Sequence, residues 1–83
     1  MEEKTITYPN GVKHVFKMVR DKAMFTSHIW VYKDGVTYLH ITPKKEEPNW
    51  CNVAKNIEGF GFMSMGDICR KFDEITIDNV CRL

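Results

Sequence analysis

Two stretches of alternating apolar and polar residues, each interrupted once by a turn signal, constrain the fold of this chain most strongly. Residues 4–19 alternate around Asn10-Gly11, and residues 27–42 alternate around Asp34-Gly35. Asn-Gly and Asp-Gly between alternating stretches are strong short-range signals of a β-hairpin. The first half of the chain is therefore predicted to form two antiparallel hairpins.

The length of each turn decides which side chains share a face, because a shift of one residue exchanges the two faces of a strand. Pro9 suits the second position of a type I turn and is unwelcome in a paired strand. A three-residue loop is therefore predicted at residues 9–11, with Tyr8 opposite Val12. The same loop in the second hairpin would likewise place its glycine, Gly35, at a positive φ angle.

In the second hairpin this loop length separates aromatic from aliphatic side chains. The cross-strand pairs on one face would be Tyr32 with Val36, Trp30 with Tyr38, and His28 with His40. The other face would hold the set Ile29, Val31, Thr37, Leu39 and Ile41. Cross-strand neighbours are the unit of sheet stabilisation, so this separation supports the register. The aliphatic set is the predicted core.

The second half of the chain is predicted to contribute two short helices and two short strands. Residues 43–48 form a charged, proline-bounded linker, and Asn49 is a suitable N-cap for a helix that ends at Gly59. The core-facing stripe of this helix would be Trp50, Val53, Ala54 and Ile57. A strand at 60–65 would follow the helix.

The last part of the chain is predicted to hold a second helix and a final strand. Asp67 would cap the helix, with Ile68 and Phe72 on one side, and residues 75–77 would form the strand. The predicted fold is a single small α+β domain, residues 1–83, with the element order ββββαβαβ. Two N-terminal hairpins and short C-terminal strands would form an antiparallel sheet, with both helices packed on one face.

Charge is divided unevenly along the chain, although the net charge is only +1. Residues 4–45 hold eight basic and two acidic side chains together with all three histidines, whereas residues 46–83 hold four basic and seven acidic side chains. Basic hairpins are therefore expected. The start, Met1-Glu2-Glu3-Lys4, has no basic region followed by an apolar stretch, and no apolar run has the length of a membrane helix. A cytoplasmic protein without membrane contact is expected.

No constellation of residues predicts catalysis, a metal ion or a cofactor. The three cysteines, Cys51, Cys69 and Cys81, are odd in number and widely spaced, which indicates reduced thiols rather than a disulfide framework or a zinc site. The chain is therefore predicted not to be an enzyme. An enzymatic function remains as the second alternative, a small metal-free ribonuclease of the toxin type, because histidines titrate near neutrality. Its residues would be Arg20, His28, Tyr32, Tyr38 and His40.

The side chains that favour binding are the aromatic residues, histidines and lysines of the hairpins. Exposed Trp and Tyr anchor protein interfaces. They also stack on the bases of single-stranded nucleic acid while lysines neutralise its phosphates. The candidate partner-binding or nucleic-acid-binding set is Lys13, Lys17, His28, Trp30, Tyr32, Lys33, Tyr38, His40, Lys44 and Lys45.

In its general style the chain resembles small early proteins of large tailed phages, which are short, rich in Lys, Ile, Asn and Met, and without enzyme motifs. This resemblance implies a protein that inhibits a host enzyme, a toxin or a defence complex, and it specifies no residues. The leading hypothesis is a small non-enzymatic inhibitor or regulator that binds a protein partner, with RNA contact through the basic hairpins as an additional feature. A single-stranded nucleic-acid-binding (RNA) module is the alternative, and a homodimer is left open.

Overall fold

Six strands form one antiparallel sheet in which every strand pairs with the next one along the chain. The computed structural model describes residues 2–23, 26–68 and 70–81. The strands are β1 (Glu2–Thr7), β2 (Lys13–Ala23), β3 (Thr26–Lys33), β4 (Val36–Pro43), β5 (Cys51–Ile57) and β6 (Gly61–Ile68). A 3-10 turn (Phe72–Glu74) and a one-turn helix, α1 (Ile77–Val80), follow the sheet. Within the described residues, no helix combines the length and the apolar character that crossing a bilayer requires.

The predicted loop of the first hairpin is confirmed. The N–H of Tyr8 donates to the carbonyl of Val12 at 2.8 Å, and the N–H of Gly11 donates to the carbonyl of Tyr8 at 2.8 Å. Gly11 has a φ of 84°, a conformation in which a residue without Cβ is not strained. Pro9 therefore lies in the turn, where its missing N–H removes no bond of the ladder.

The predicted three-residue loop of the second hairpin is wrong, although the positive φ of its glycine is confirmed. Lys33 pairs with Val36, so Asp34 and Gly35 alone form the turn. Their φ angles are 52° and 82°. Two positive φ angles in a two-residue loop are typical of a type I′ turn, whose twist matches that of the flanking strands.

Asp34 is held in this left-handed conformation by contacts with β2. Its N–H donates to the carbonyl of Val15 at 2.8 Å. Its carboxylate accepts a hydrogen bond from the N–H of Val15 at 2.9 Å and lies 2.6 Å from Nδ1 of His14. The contact with His14, followed by the bond from Val15, lowers the pKa of the Asp34 carboxyl. An isolated hairpin, which is what the sequence pattern describes, has none of these contacts.

A β-bulge in β4 restores the separation of the two faces. Tyr32 pairs with Thr37, and Val31 pairs with Leu39, so Tyr38 is the extra residue. A bulge re-aims the side chain at the extra position and lets the pairing resume beyond it. Thr37 therefore leaves the predicted aliphatic face, and Tyr38 leaves the predicted aromatic face.

The bulge also changes the cross-strand partners of the aromatic residues. Trp30 pairs with His40, so the predicted pairs of Trp30 with Tyr38 and of His28 with His40 are wrong. Tyr38 packs instead edge-on against the buried ring of Phe16, with the ring centroids 5.9 Å apart. His28 and His40 remain neighbours, but they lie diagonally across β3 and β4 rather than directly opposite each other.

The predicted helix after Asn49 is wrong, because residues 51–57 form a central strand of the sheet. Burial alternates at the start of β5, where Cys51 and Val53 are buried and Asn52 is exposed. The helical stripe also included Trp50 and Ile57, and both are 38% exposed. This strand pairs with the edge of β4, which would otherwise be unpaired. The stabilisation from this pairing outweighs the helical preference that the spacing of the apolar residues indicates.

The elements predicted after residue 66 also differ from those in the structure. The segment assigned to a helix capped by Asp67 begins in β6, and the predicted strand at 75–77 is instead the entry to α1. Thr76 caps α1 in a capping box with Asn79, in which each side chain bonds the other residue's backbone N–H. The broad α+β class is confirmed, whereas the order ββββαβαβ with two packed helices is replaced by six strands, a 3-10 turn and one short helix.

The core lies between one face of the sheet, here called the covered face, and residues 70–81. The predicted aliphatic residues Ile29, Val31, Leu39 and Ile41 are fully buried there, which confirms this part of the predicted core. The other buried residues are Phe16, Met18, Cys51, Val53, Phe72, Ile75, Ile77 and Val80. Complete burial of each large aliphatic side chain stabilises the fold by about 1.5–3 kcal/mol.

Two side chains of the sheet bind the backbone of residues 70–81. The guanidinium of Arg20 donates to the carbonyls of Phe72, at 3.3 Å, and of Ile75. The thiol of Cys51 donates to the carbonyl of Arg70 at 3.2 Å. Arg20 lies near the end of β2 and Cys51 at the start of β5, so this segment is held at the sheet end opposite the β1–β2, β3–β4 and β5–β6 turns. The opposite face of the sheet is called the open face below.

Candidate binding face

A cross-strand row of aromatic and small side chains crosses the open face. Successive pairings place Val19, Trp30, His40, Ala54 and Ser64 side by side on five neighbouring strands. Directly paired residues project from the same face of a sheet, so these five side chains are neighbours on the open face. His40 is the only ionisable member of the row.

The rings at the centre of this row are stacked on one another. Trp30 and His40 have centroids 3.9 Å apart and planes only 7° from parallel. His28 lies beside them, with its centroid 5.0 Å from that of His40. One face of the Trp30 indole is therefore in contact with an imidazole, and all three rings are partly exposed.

The two histidines share a hydrogen bond. Nδ1 of His28 lies 2.8 Å from Nε2 of His40, so one ring donates and the other accepts. Partial burial, and secondly the proximity of His28, lower the pKa of His40. A lowered pKa is consistent with this bond, because an imidazole that has gained a second proton has no acceptor nitrogen left.

The charged side chains of the open face lie at its rim and carry both signs. Lys17 lies opposite Tyr32 on one side of the central row and opposite Glu3 on the edge strand β1. Lys17 Nζ is 3.9 Å from a carboxylate oxygen of Glu3. Asp21 lies opposite His28 on the other side of the row. The rim is therefore close to electrically balanced.

The structure brings six of the ten predicted binding residues to the open face. They are Lys13, Lys17, His28, Trp30, Tyr32 and His40, which occupy alternate positions of β2, β3 and β4 on the side away from the core.

The other four predicted binding residues lie elsewhere. Lys33 and Tyr38 are on the covered-face side, where the Lys33 ammonium is 5.2 Å from the Tyr38 ring centroid. Lys44 is in the loop between β4 and β5, where its ammonium is 3.7 Å from the Glu47 carboxylate. Lys45 is exposed in the same loop. The lysines of the set therefore do not form one basic surface.

The five residues of the ribonuclease alternative lie on opposite faces of the sheet. Arg20 bonds the backbone of residues 70–81, and Tyr38 packs on Phe16, both on the covered-face side. His28, Tyr32 and His40 are on the open face. That the chain is not an enzyme stays a prediction.

The two thiols that the structure describes, those of Cys51 and Cys81, show no sign of activation. Burial raises the pKa of Cys51 to about 11 and also raises the pKa of Cys81. Cys69 lies outside the described residues. Among the residues the structure does describe, no group of three or more His, Cys, Asp or Glu could hold a metal ion.

Sequence reasoning missed the contribution of β5 and β6 to this face. Ala54, Asn56 and Phe62 join it because residues 51–57 form a strand rather than a helix. The apolar–polar–apolar order of Cys51, Asn52 and Val53 is a strand signal in the sequence, but three residues are too few to outweigh the helical spacing of the apolar residues around them.

The open face thus presents partly exposed, stacked rings on a sheet whose opposite face is covered. Comparison of the chain with protein-family models, with curated proteins and with solved structures finds no match. The centre of the face offers aromatic rings and small side chains, and its rim offers charges of both signs.

Proposed function

We propose that this protein is a small non-enzymatic inhibitor or regulator that binds a protein partner through the open face of its sheet. The observation that carries the proposal is the central row of Trp30 and His40 between small neighbours, which remains partly exposed while the other face is covered. Aromatic anchors surrounded by a polar rim are typical of protein interfaces. In keeping with the phage-like style of the sequence, we expect the partner to be an enzyme, toxin or defence complex.

Two observations favour a protein over a nucleic acid. The Lys17 charge is offset by Glu3, and Asp21 lies at the opposite rim, so the face has little net attraction for a polyanion. The Trp30 indole is stacked on His40, so that one of its two ring faces is already occupied and cannot receive a base. Stacking platforms for single-stranded nucleic acid work by presenting free ring faces.

The proposal is tested by photo-crosslinking in cells. A photoreactive amino acid at Thr42, on the open face, should crosslink a protein, and the same group at Asp73, in the 3-10 turn, should not. Trp30→Ala should remove the Thr42 crosslink, because it truncates the anchor at the centre of the face. Trp50→Ala is the matched control, since Trp50 is 38% exposed in the β4–β5 loop.

The crosslink should survive nuclease treatment of the lysate. Equal crosslinking from Thr42 and Asp73, or equal loss with Trp30→Ala and Trp50→Ala, would contradict the assignment of the interface to the open face. Circular dichroism of each variant distinguishes loss of binding from loss of the fold.

The second candidate function is binding of single-stranded RNA, favoured by the presence of Lys13, Lys17 and Tyr32 on the same face. If it is correct, affinity should fall steeply with salt, because each neutralised phosphate releases a counterion. Lys13→Ala and Lys17→Ala should each flatten the slope of log K against log salt by about 0.7. Lys22→Ala, on the other side of β2, should leave the slope unchanged. Absence of binding at low salt would exclude this function.

A further inference from the structure

The two edge strands of the sheet, β1 and β6, differ in their protection against pairing with another molecule. An edge strand exposes a row of unpaired backbone N–H and C=O groups, and charged side chains discourage a further strand from adding to it. Three of the six residues of β1 are charged, and Lys4 forms an ion pair with Asp78 of helix α1, which packs beside this edge. Residues 60–66, by contrast, include no charged residue. The edge at β6 is therefore the less protected one.

Large apolar side chains are exposed along the same edge. Phe60, in the β5–β6 turn, is 76% exposed, and Phe62 and Met63, in β6, are each 48% exposed. Phe62 pairs with Asn56 on the open face, whereas Met63 pairs with Lys55 on the covered-face side. Among the described residues, no strand pairs with the outer side of β6. Apolar groups are thus available on both sides of an uncharged edge.

The chain also exposes more surface than a compact monomer of its size does. Its accessible surface is 5819 Å², and its mass is 9.7 kDa. A compact monomer of that mass exposes about 5,100 Å², so the excess is about 700 Å². Each partner in a standard protein interface loses about 800 Å². The excess surface of the isolated chain therefore has the size that one such interface covers.

A second copy of the same chain is the partner that these features favour. Two β6 edges without charge over residues 60–66 do not repel each other, and both strands are already extended, so their pairing loses little conformational entropy. An unstructured segment of another protein would have to be ordered first. Because charges protect the β1 edge, pairing of β6 with β6 about a two-fold axis closes after two chains and does not continue into a filament.

The regular part of β6 sets the register of this pairing. The pairing of β6 with β5 shifts between Ala54 and Asn52, so β6 is regular only over residues 61–64. An antiparallel pair centred on Phe62 uses this part of the strand and keeps the open faces of both copies on the same side. It brings the two Phe62 side chains opposite each other, and aromatic cross-strand pairs stabilise a sheet.

We propose that β6 pairs with β6 of a second copy in an antiparallel arrangement centred on Phe62, which joins the two sheets into one. Phe60, Phe62 and Met63 supply the apolar contacts of this interface. The two open faces then form one continuous surface with two central rows. The dimer does not depend on the function proposed for the open face.

The test is the mass of the purified full chain in solution, measured by sedimentation velocity over a series of concentrations. We expect a dimer that dissociates on dilution. Phe62→Lys and Phe62→Glu should each raise its dissociation constant by roughly tenfold or more, because each variant places two like charges opposite each other. An equimolar mixture of the two variants should dimerise more tightly than either variant alone, since Lys then lies opposite Glu. That recovery also shows that both variants fold.

Two controls separate the β6 edge from other surfaces. Thr5→Lys introduces the same charge at an exposed position of the β1 edge and should leave the dissociation constant unchanged. Trp30→Ala truncates the centre of the open face and should leave it unchanged as well. A wild-type chain that stays monomeric at every concentration, a mixture that dimerises no better than its components, or equal weakening by Thr5→Lys or Trp30→Ala would overturn the proposal.

Discussion

At the level of single residues, the hydrogen bond between His28 and His40 makes the centre of the open face sensitive to protonation. The bond requires one acceptor nitrogen, and Asp21 is the charged side chain that pairs with the position of His28. Because burial and His28 lower the pKa of His40, the folded protein takes up a proton at this ring less readily than the unfolded chain does. The stack on Trp30 depends on the same ring.

The expected consequence is a loss of stability in mild acid. The contribution of His40 to the free energy of unfolding is fully present above the ordinary histidine pKa of about 6.5. It is lost as the pH falls through that value towards the lowered pKa of His40 in the folded state. The urea midpoint of unfolding should therefore be lower at about pH 5 than at about pH 7.5, and His40→Gln should reduce this difference. A pH difference of the same size in the variant would show that other groups cause it.

At the level of strands and turns, the sequence predicts the elements that are determined by residues close together in the chain. The first hairpin and the aliphatic core residues of the second follow from alternation and from turn residues. The two-residue turn at Asp34 is also one that its Asp-Gly pair favours, and the prediction missed it because the loop length that Pro9 decides in the first hairpin was applied to a hairpin without a proline. Likewise, the bulge at Tyr38 follows from that turn, and it moves one predicted site residue to the opposite face.

The strand β5 shows a second limit of pattern reasoning. Apolar residues at 50, 53, 54 and 57 fit a helix as well as they fit a strand, and only the neighbouring edge of β4 decides between the two. Thus Trp30, His28 and His40 of the candidate site were predictable from the hairpin alone. Ala54 and Phe62 were not, because their positions depend on pairings between distant parts of the chain.

The packing of β5 is tested by a pair of neighbouring substitutions. Val53 is 1% exposed, and Val53→Asp should destabilise the protein by several kcal/mol, on the order of 3–5, because it buries a charge without a partner. Asn52→Asp introduces the same side chain at the adjacent exposed position, opposite Asp67, and should cost no more than about 1 kcal/mol, the range of a cross-strand pair of like charges. Equal urea midpoints for the two variants would contradict the alternation of burial along this strand.

At the level of the whole molecule, one short segment completes the core of an otherwise one-sided sheet. Residues 70–81 supply Phe72, Ile75, Ile77 and Val80 to a core whose remaining residues all come from strands. Arg20 joins the two layers by donating to two carbonyls of this segment. The stability of the sheet therefore depends on a segment that contributes no strand to it.

Loss of the Arg20 contacts should loosen this segment before the sheet itself unfolds. Arg20→Met leaves two carbonyls without their donor and should cost about 1–3 kcal/mol. Amide hydrogen exchange should accelerate at residues 72–81 more than in β3 and β4. Lys22→Met, two residues along the same strand, is the control and should leave the exchange rates unchanged. Uniform acceleration throughout the sheet would argue against a separately opening segment.

The pairing of each strand with its successor also affects the order in which the chain folds during synthesis. Each hairpin can close as soon as its second strand has left the ribosome, because no strand waits for a later, distant partner. The covered face is different, since the residues that shield it are translated only after all six strands. A growing chain thus carries a nearly complete sheet with a bare apolar side, and for that interval chaperones and neighbouring nascent chains compete with residues 70–81 for the same surface.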